Sequence, residues 1–426
     1  MIQKPYPLLG ECVYEAQLSN GLLARVVRKK GFSKTHAFLA VNYGSIDLDF
    51  LVNGIHHQTP KGVAHYLEHK MFDMPDGNAM QMFSEYGGSP NAFTSYDMTA
   101  YYVECTDHVK ENLKILLQFV STPWFTEESV EKERGIIAQE IRMYEDSADS
   151  CVFEDLYAAV FANHPIRHPI AGTVESVHQI TQQTLYDCYR AFYTPGNMML
   201  CVVGDVDPQM IFDLAEEIIP AGTSVPVRDY GAPEQMAPVQ KRVSRNMEVS
   251  MPGFALGFKT EPAAFGPDSM RQEIIGDLAA EILVGESSAL YSRLYEKNLI
   301  DSGFSVGYEG LKGVSLLSAS GDSLDPDAIL GEILKEADQI RAKGVDEGLF
   351  QRLKRSALGR RIRNLDSFSS ICYRMCAYHF EGSDCFAFPD RFREVDQEQV
   401  AAFLNRTIQE DRAALSIVYP NREGGY

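Results

Sequence analysis

Residues 65–69 read His-Tyr-Leu-Glu-His, and their types and spacing suit a zinc site beside a general base. On an α-helix, His65 and His69 lie one turn apart and project from the same face, with Glu68 next to them. Zn²⁺ binds neutral imidazole readily, and a three-ligand site leaves a position where bound water ionises with a pKa of roughly 7. A free carboxylate beside that water can accept its proton. The pattern alone also fits a core helix that carries two incidental histidines.

The sequence around the two histidines predicts a helix. Thr59 can act as an N-cap, and Pro60 suits the first helical position. The segment continues with apolar side chains spaced for a buried helix face, namely Val63, Ala64, Leu67, Met71 and Phe72. We therefore expect a helix that begins at Thr59 and Pro60 and presents both histidines on one side.

Residues 126–146 predict a second helix that is rich in acidic side chains. Thr126 is the expected N-cap, and the two glutamates that follow it suit the positive end of the helix dipole. Glu133 and Glu140 are two helical turns apart and therefore share a face. One carboxylate can bind a metal while the other supports the site from behind. Glutamates on a helix are usually solvated, so these two acquire a role only because of the histidine motif.

Five segments in order resemble the pitrilysin/insulinase-type inverzincins, in particular their small bacterial processing-peptidase-like branch. The family signature H-x-x-E-H reverses the commoner zincin order. The segments are GVAHYLEHKMF at 62–72, GGSPNAFTSYDMTAYY at 87–102, EKERGIIAQEIRM at 131–143, HPIRHPIAGTVESV at 164–177 and YTPGNMMLCVVGDVD at 193–207. The resemblance implies one zinc ion per chain, bound by His65, His69 and Glu140. It also implies that Glu68 is the general base and that Glu133 is the supporting carboxylate of the catalytic site.

A candidate substrate-binding strand follows the turn-forming residues 87–90. Peptidases often hold substrate as an added β-strand, because main-chain hydrogen bonds give affinity without demanding a particular sequence. The resemblance implies an edge strand that pairs with the segment to be cleaved, and an asparagine that contacts a substrate carbonyl. We therefore predict that substrate binds along Asn91, Ala92, Phe93 and Thr94.

The chain of 426 residues predicts two related domains. Residues 1–221 contain all five segments, and residues 222–242 are rich in Pro, Gly and Ala without periodicity, as expected for a linker. Residues 243–426 repeat the order strand, helix, helix, strands, and 279–296 takes the place of the motif helix without any histidine. The resemblance implies an α+β fold in which two homologous α+β sandwich domains form a half-shell and only the first holds zinc.

The second domain departs from the family pattern at two positions. Relatives commonly supply an arginine and, seven residues later, a tyrosine, which help to bind substrate and to stabilise the oxyanion. Tyr295 and Ser302 stand at these positions here. Small members of the family can act as dimers, so a partner could supply the missing groups. We expect a homodimer or a heterodimer with a related chain that lacks HxxEH.

Charge argues against several kinds of partner. The formal net charge of −20 disfavours nucleic acid, whose phosphates need a concentrated basic surface, and disfavours an anionic membrane likewise. Residues 350–364 are a local basic exception. This basic segment is either a solvated helix face or a positive wall that attracts acidic peptide segments or a C-terminal carboxylate.

The cysteines predict a reducing environment. All eight are scattered, without a C-x-x-C pair or the disulfide spacing of a small secreted domain. Cys372 and Cys376 are spaced to meet on a helix and are predicted to be packing residues. No apolar run is long enough to span a membrane, and the N-terminal residues lack a signal-peptide pattern. We therefore expect a cytoplasmic protein.

Two functions compete at this point. The first is a zinc metalloendopeptidase that hydrolyses peptides or small unfolded proteins, with Glu68 activating a zinc-bound water. The second is a weakly active or noncatalytic subunit that binds peptide or scaffolds a related chain. The intact motif favours the enzyme, and the altered second domain favours the subunit.

Overall fold

The computed structural model describes residues 1–75 and 77–421. Its strands are β1 Ile2–Tyr6, β2 Glu11–Gln17, β3 Leu23–Arg28, β4 Thr35–Val41, β5 Asp49–Val52, β6 Ile55–Gln58, β7 Asp73–Met74, β8 Gly77–Asn78, β9 Ser89–Thr94, β10 Thr99–Cys105, β11 Met198–Gly204, β12 Val227–Asp229, β13 Arg242–Met247, β14 Gly253–Lys259, β15 Ser305–Leu311, β16 Val314–Asp322 and β17 Ala413–Pro420. Its α-helices are α1 Val63–Met71, α2 Ala79–Glu85, α3 Val109–Ser121, α4 Glu127–Glu145, α5 Ala148–Val160, α6 Val174–Val177, α7 Gln182–Phe192, α8 Pro208–Ile218, α9 Pro267–Val284, α10 Ala289–Glu296, α11 Pro326–Lys343, α12 Glu347–Arg363, α13 Phe368–Phe380, α14 Phe388–Glu394 and α15 Gln397–Thr407.

The chain forms two compact units that are not contiguous in sequence. Unit 1 consists of Met1–Ile141, Pro169–Tyr230 and Ile362–Phe380. Unit 2 consists of Arg142–His168, Gly231–Arg361 and the described residues from Glu381 onward. This division differs from the predicted domains 1–221 and 243–426, because each half of the sequence contributes a segment to the unit built mainly by the other half.

Unit 1 is built on a seven-stranded sheet with the order β1-β2-β3-β11-β4-β10-β9. Strand β11 runs parallel to β3, and the other neighbouring pairs are antiparallel. Side chains alternate between the two faces, so Leu200 joins the core formed with α1, α3, α7 and α8, while Cys201 contacts Met375 of α13. Within residues 1–75 and 77–421, β9 pairs with β10 alone, so residues 91–94 lie on an edge strand, as predicted.

Unit 2 repeats this arrangement in a five-stranded sheet with the order β13-β17-β14-β16-β15. One parallel pair followed by three antiparallel pairs reproduces the pattern of β3-β11-β4-β10-β9. Helix α9 packs against β15, β16 and α15, as α1 packs against β9, β10 and α7. The predicted repeat is therefore confirmed, with α9 as the counterpart of the motif helix. The predicted segment 279–296 covers the end of α9 and all of α10.

Each unit contains one helix from the half of the sequence that builds most of the other unit. In the first half of the sequence, the strands β9 and β10 are followed by α3, α4 and α5. The third of these helices, α5, packs against β14 and β17 of unit 2. In the second half, the strands β15 and β16 are followed by α11, α12 and α13, and the third of these, α13, packs against β4 and β11 of unit 1. Buried apolar side chains on α5, such as Leu156, and on α13, such as Ile371, cover these sheets. The two units are not contiguous in sequence because each main sheet is covered by a helix from the other half of the sequence.

The predicted linker, residues 222–242, is held by side-chain contacts in both units. In unit 1, β12 pairs with β5, and Arg228 forms an ion pair of 2.9 Å with the buried carboxylate of Asp47. In unit 2, Glu234 forms an ion pair of 2.7 Å with Lys259 and accepts hydrogen bonds from three backbone N–H groups. Burial raises the pKa of Glu234, but these donors outweigh it and lower the pKa to about 2. The linker is therefore an ordered part of the fold.

The cysteines pack as predicted. All eight lie within the described residues and outside any disulfide bond, and each except Cys12 is buried. Cys372 and Cys376 lie on α13, where they face the sheet of unit 1. Within the described ranges, no helix combines the length and the apolar character that crossing a membrane requires.

The motif helix begins later than predicted. Helix α1 starts directly after Gly62, whose φ of 86° lies in the left-handed region. Thr59 does not cap it, because its hydroxyl donates to the carbonyl oxygen of Leu48 at 3.2 Å. A Cβ at Gly62 would lie 2.3 Å from the carbonyl oxygen of Ala171, and a Cβ at Gly172 would lie 2.5 Å from the carbonyl oxygen of Lys61. The two glycines let the loop before α6 pack directly against the start of α1.

We expect Gly62→Ala to destabilise unit 1 through this contact. Gly31→Ala is the matched control, because Gly31 has a φ of 81° but open space around its Cβ position. Left-handed strain alone should cost about 1 kcal/mol in the control. Gly62→Ala should cost at least about 2 kcal/mol more, because the backbone at Ala171 must move. Urea unfolding of both variants measures the difference, and equal free energies of unfolding would contradict the role given to this contact.

Candidate metal centre and active site

Helices α1 and α4 bring the three predicted ligands together. His65 and His69 lie one turn apart on α1, and Glu140 lies on α4. One donor atom from each residue lies within 4.8 Å of the others. The Nε2 atom of His65 is 3.6 Å from Oε1 of Glu140, and the Nε2 atom of His69 is 3.5 Å from Oε2 of the same carboxylate.

These separations fit a metal ion between the donors. A tetrahedral site with zinc-to-ligand distances near 2.0–2.1 Å places its ligands about 3.3–3.4 Å apart. The Nδ1 atom of His69 lies 3.0 Å from Oε1 of Glu133. When that nitrogen carries the shared proton, Nε2 presents a lone pair to the carboxylate of Glu140, and a cation between them offsets the repulsion. Two imidazole nitrogens and one carboxylate oxygen are a donor set that Zn²⁺ accepts.

The two histidines differ in their electrostatic environment. Burial, followed by the neighbouring His69, lowers the pKa of His65 to about 4, so its imidazole is neutral at physiological pH. Burial also lowers the pKa of His69, but the hydrogen bond to Glu133 and the carboxylates of Glu68 and Glu140 outweigh it and raise the pKa above its usual value. The carboxylates therefore draw positive charge to this position, which a proton or a metal ion can supply.

Glu133 is hydrogen-bonded to His69 and lies outside the group formed by His65, His69 and Glu140. Its hydrogen bond to His69 lowers the pKa of the Glu133 carboxyl, so this group stays ionised. The bond fixes the ring of His69 with Nε2 directed toward Glu140. This is the geometry expected for the predicted supporting carboxylate.

Two further side chains hold α1 against the start of α4. The Tyr66 hydroxyl donates to the carbonyl oxygen of Val130, and the ammonium of Lys70 donates to the carbonyl oxygen of Ser129 at 3.3 Å. Both side chains are almost completely buried. Thr126 caps α4 as predicted, because its hydroxyl accepts the N–H of Ser129 at 3.1 Å. Sequence reasoning missed Tyr66 and Lys70, although a lysine inside an apolar helix is a signal for a buried polar contact.

Glu68 lies beside the donor cluster and is 8% exposed. Its Oε2 atom accepts a hydrogen bond of 2.8 Å from the Thr94 hydroxyl. Thr94 is in turn 3.4 Å from the hydroxyl of Thr99, which donates to the carbonyl oxygen of Tyr43. Burial raises the pKa of Glu68, although the Thr94 hydrogen bond and the charge of His69 oppose the increase. This arrangement fixes one carboxylate oxygen and leaves Oε1 for other contacts.

The predicted substrate-binding residues divide between the two faces of β9. Thr94 reaches α1, whereas the ring of Phe93 lies 6.0 Å from that of Tyr373 on α13. Asn91 is exposed, and its side-chain oxygen accepts the N–H of Ala92 at 2.8 Å. The structure therefore places a free strand edge beside α1. The contact of Thr94 with Glu68 was missed, although the two-residue period of a strand predicts that alternate residues share a face.

The two departures from the family pattern lie in unit 2. Tyr295 is on α10, is 53% exposed and stacks on Tyr291 with ring centroids 6.2 Å apart. Ser302 is exposed in the turn that precedes β15. Neither residue is a substitute of the same chemistry for the arginine or the tyrosine expected there.

Comparisons with known proteins agree with this geometry. Residues 51–174 match the family model described as Insulinase (Peptidase family M16), and residues 179–357 match the model described as Peptidase M16 inactive domain. The uncharacterized zinc protease YmfH of Bacillus subtilis is 36% identical over 425 residues, which cover 97% of this chain and 98% of that protein. The two α+β units and the His-x-x-Glu-His helix thus define the protein class. The chain belongs to the insulinase family of peptidases, family M16.

Further relatives extend the comparison. The crystal structure of an M16-like peptidase from Alicyclobacillus acidocaldarius has a TM-score of 0.92 and 33% identity, and covers 96% of this chain and 99% of its own. A protein of Arabidopsis thaliana, named as subunit beta of the mitochondrial-processing peptidase, is 26% identical over 387 residues, 84% of this chain and 71% of that protein. The fold of unit 1 and unit 2 is therefore that of the family.

Thr94→Val tests whether the hydroxyl positions Glu68. The substitution keeps nearly the same size but removes the donor, so we expect peptide-hydrolysis kcat to fall about tenfold while the zinc content is unchanged. Thr94→Ser is the matched control, because it keeps the hydroxyl and should recover most of the rate. Equal rates for the Val and Ser variants would show that the hydrogen bond to Glu68 has no kinetic role.

Proposed function

We propose that this chain is a zinc metalloendopeptidase that hydrolyses peptides or small unfolded proteins. The observation that carries the proposal is the convergence of His65, His69 and Glu140, with the buried Glu68 carboxylate beside them. Membership of a family whose relatives are named zinc proteases supports it.

The chain's own residues account for the proton transfers. Zinc, when bound by the two histidines and Glu140, supplies polarisation of the scissile carbonyl and a lowered pKa for water. Glu68 accepts a proton from the attacking water at Oε1, the oxygen that Thr94 leaves free. The water oxygen bonds to the carbonyl carbon. As the carbon–nitrogen bond breaks, Glu68 donates that proton to the leaving amine nitrogen.

We also propose that substrate binds along the free edge of β9. Among the described residues, β10 is the sole strand that pairs with β9, so the outer backbone groups of β9 can hydrogen-bond an extended peptide. Asn91 and Ala92 would present main-chain and amide groups to the substrate, while Phe93 and Thr94 fix the strand to α13 and α1. Binding through the main chain favours unstructured substrates over folded ones.

Glu68→Gln separates metal binding from chemistry. The amide keeps the side-chain size and an oxygen that can accept the Thr94 hydrogen bond, but it cannot take a proton. We expect zinc to remain at one ion per chain while hydrolysis of an unstructured peptide falls by at least about 10²-fold. Metal analysis and turnover are measured on the same preparation. Retained turnover at constant zinc content would exclude Glu68 as the general base.

The second candidate is a weakly active or noncatalytic subunit of a heterodimer with a related chain. Tyr295 and Ser302 favour it, because they replace groups with which relatives bind substrate and stabilise the oxyanion. One relative is itself named as a subunit of a peptidase. In this form, a partner of the same family that lacks HxxEH would complete the active site. In a homodimer, a second copy of this chain would take the place of that partner.

The partner proposal predicts slow turnover by the isolated chain. The loss of one oxyanion donor is worth roughly 3 kcal/mol, about a hundredfold in rate. Adding a related chain without HxxEH from the same cell should raise turnover without changing the zinc content. A chain that is monomeric by light scattering and already fast on unstructured peptides, with no gain from any partner, would contradict this proposal.

A cytoplasmic location stays a prediction. The scattered spacing of the eight cysteines supports it, because it lacks the disulfide pattern of a small secreted domain. The charge of −20 supports a soluble peptide as substrate rather than nucleic acid or an anionic membrane.

A further inference from the structure

A cavity of about 560 Å³ lies within unit 2. Its walls come from the end of α9, the starts of α10 and β15, and one side of α12. Helices α9 and α12 and strand β15 are the counterparts of α1, α4 and β9, which carry the metal donors and Thr94 in unit 1. The repeated fold therefore forms an opening where its first copy holds the candidate active site.

The side chains between the two helices differ in kind from those of unit 1. Arg360 of α12 forms an ion pair of 3.2 Å with Glu281 of α9, and Arg361 forms one of 2.9 Å with Glu273. Arg360 lies at the same distance from the start of α12 as Glu140 does from the start of α4. Guanidinium groups thus replace the imidazole and carboxylate donors. The chemistry of this position suits an anion instead of a metal ion.

Three hydrogen-bond donors follow one another along the cavity wall. Arg352, Ser356 and Arg360 line the cavity at four-residue intervals, so they lie on one side of α12 about 6 Å apart. Alternate residues of an extended peptide are spaced by roughly 6.6–6.8 Å. The rings of Tyr291 and Phe304 form an apolar wall of the same cavity. This combination matches an extended segment that carries carboxylates.

Two arginines and two glutamates line the cavity, and they differ in their pairing. Among the described residues, no acidic side chain pairs with Arg352, whereas Arg360 is matched by Glu281. The other acidic lining residue, Glu286, is exposed on the loop before α10. A guanidinium group on a cavity wall that makes no ion pair among the described residues is available to an external anion.

The contacts of its basic side chains show which residues of segment 350–364 could form a positive wall and which could not. Lys354, Arg360 and Arg361 are used internally, because they contact the carbonyl oxygen of Val395 and the two glutamates of α9. Arg352 and Arg355 have no such contacts within the part of the chain that the structure describes. Of these two, Arg352 lines the cavity, whereas Arg355 is exposed on α12 outside its lining.

We propose that this cavity binds a carboxylate of an extended peptide through Arg352. The carboxylate can belong to an acidic side chain or to the C-terminus of the peptide, since the same guanidinium geometry serves both. The view that such a peptide is a substrate rests on the proposed peptidase function. Binding itself does not depend on hydrolysis.

The test is isothermal titration of the full chain with three synthetic peptides. The first alternates Glu with Gly and has a free C-terminus, the second is its C-terminal amide, and the third replaces Glu by Gln. Arg352→Gln should weaken binding of the first peptide about three- to tenfold. Arg355→Gln is the matched control on the same helix and should leave Kd unchanged. Loss of affinity for the second or the third peptide identifies the source of the carboxylate.

Two outcomes would overturn the proposal. If Arg352→Gln leaves Kd unchanged, the cavity does not bind the carboxylate, and if both arginine variants weaken binding equally, only general charge attraction is present. Circular dichroism of each variant confirms that the exposed substitution leaves the fold intact. Hydrolysis measured in parallel distinguishes failure of the carboxylate-binding proposal from failure of the proposed peptidase function. Binding that needs Arg352 without any turnover would contradict the peptidase function alone.

Discussion

Three carboxylates and two imidazoles converge inside unit 1, and like charges at such distances repel one another in a partly desolvated site. The chain opposes this repulsion by fixing the two helices that carry the groups. Tyr66 and Lys70 join α1 to the start of α4, and the close approach at Gly62 fixes the beginning of α1. Glu133 then sets the orientation of His69. The donor atoms are therefore held at metal-binding separations by contacts that do not themselves involve a metal. Metal binding then does not have to supply the free energy of assembling the site.

The same frame occurs twice in the chain with opposite chemistry. Unit 1 places imidazole and carboxylate groups between α1 and α4, whereas unit 2 places arginine–glutamate pairs between α9 and α12. The strand order is shared, and so is the contact of the first helix with the edge hairpin. Fold alone therefore says little about function at this position. The side chains carried by two helices set the chemistry of this position in each unit.

Local pattern predicted most of the candidate site, and long-range contacts account for what it missed. The spacing of His65 and His69 and the cap at Thr126 follow from periodicity and capping chemistry, and both were confirmed. The strand through residues 91–94 was also confirmed, but it begins at Ser89, inside the predicted turn 87–90. The predicted start of α1 was wrong, because the Thr59 hydroxyl donates to the carbonyl oxygen of Leu48, just before β5, instead of capping the helix. The domain boundaries differ because α5 and α13 pack on sheets formed by distant residues. The hydrogen bond from Thr94 to Glu68 likewise depends on how a strand and a helix meet.

The zinc site is tested most directly by X-ray absorption at the zinc edge, recorded on the wild-type chain and on two histidine variants. We expect one zinc per wild-type chain, with two imidazole nitrogens and carboxylate oxygen among its ligands. His69→Ala should lose the metal, because a ligand from α1 is removed. His56→Ala, which alters an exposed histidine paired with Asp49, should keep both the metal and its spectrum. Full zinc occupancy with an unchanged spectrum in His69→Ala would contradict the assignment of this site.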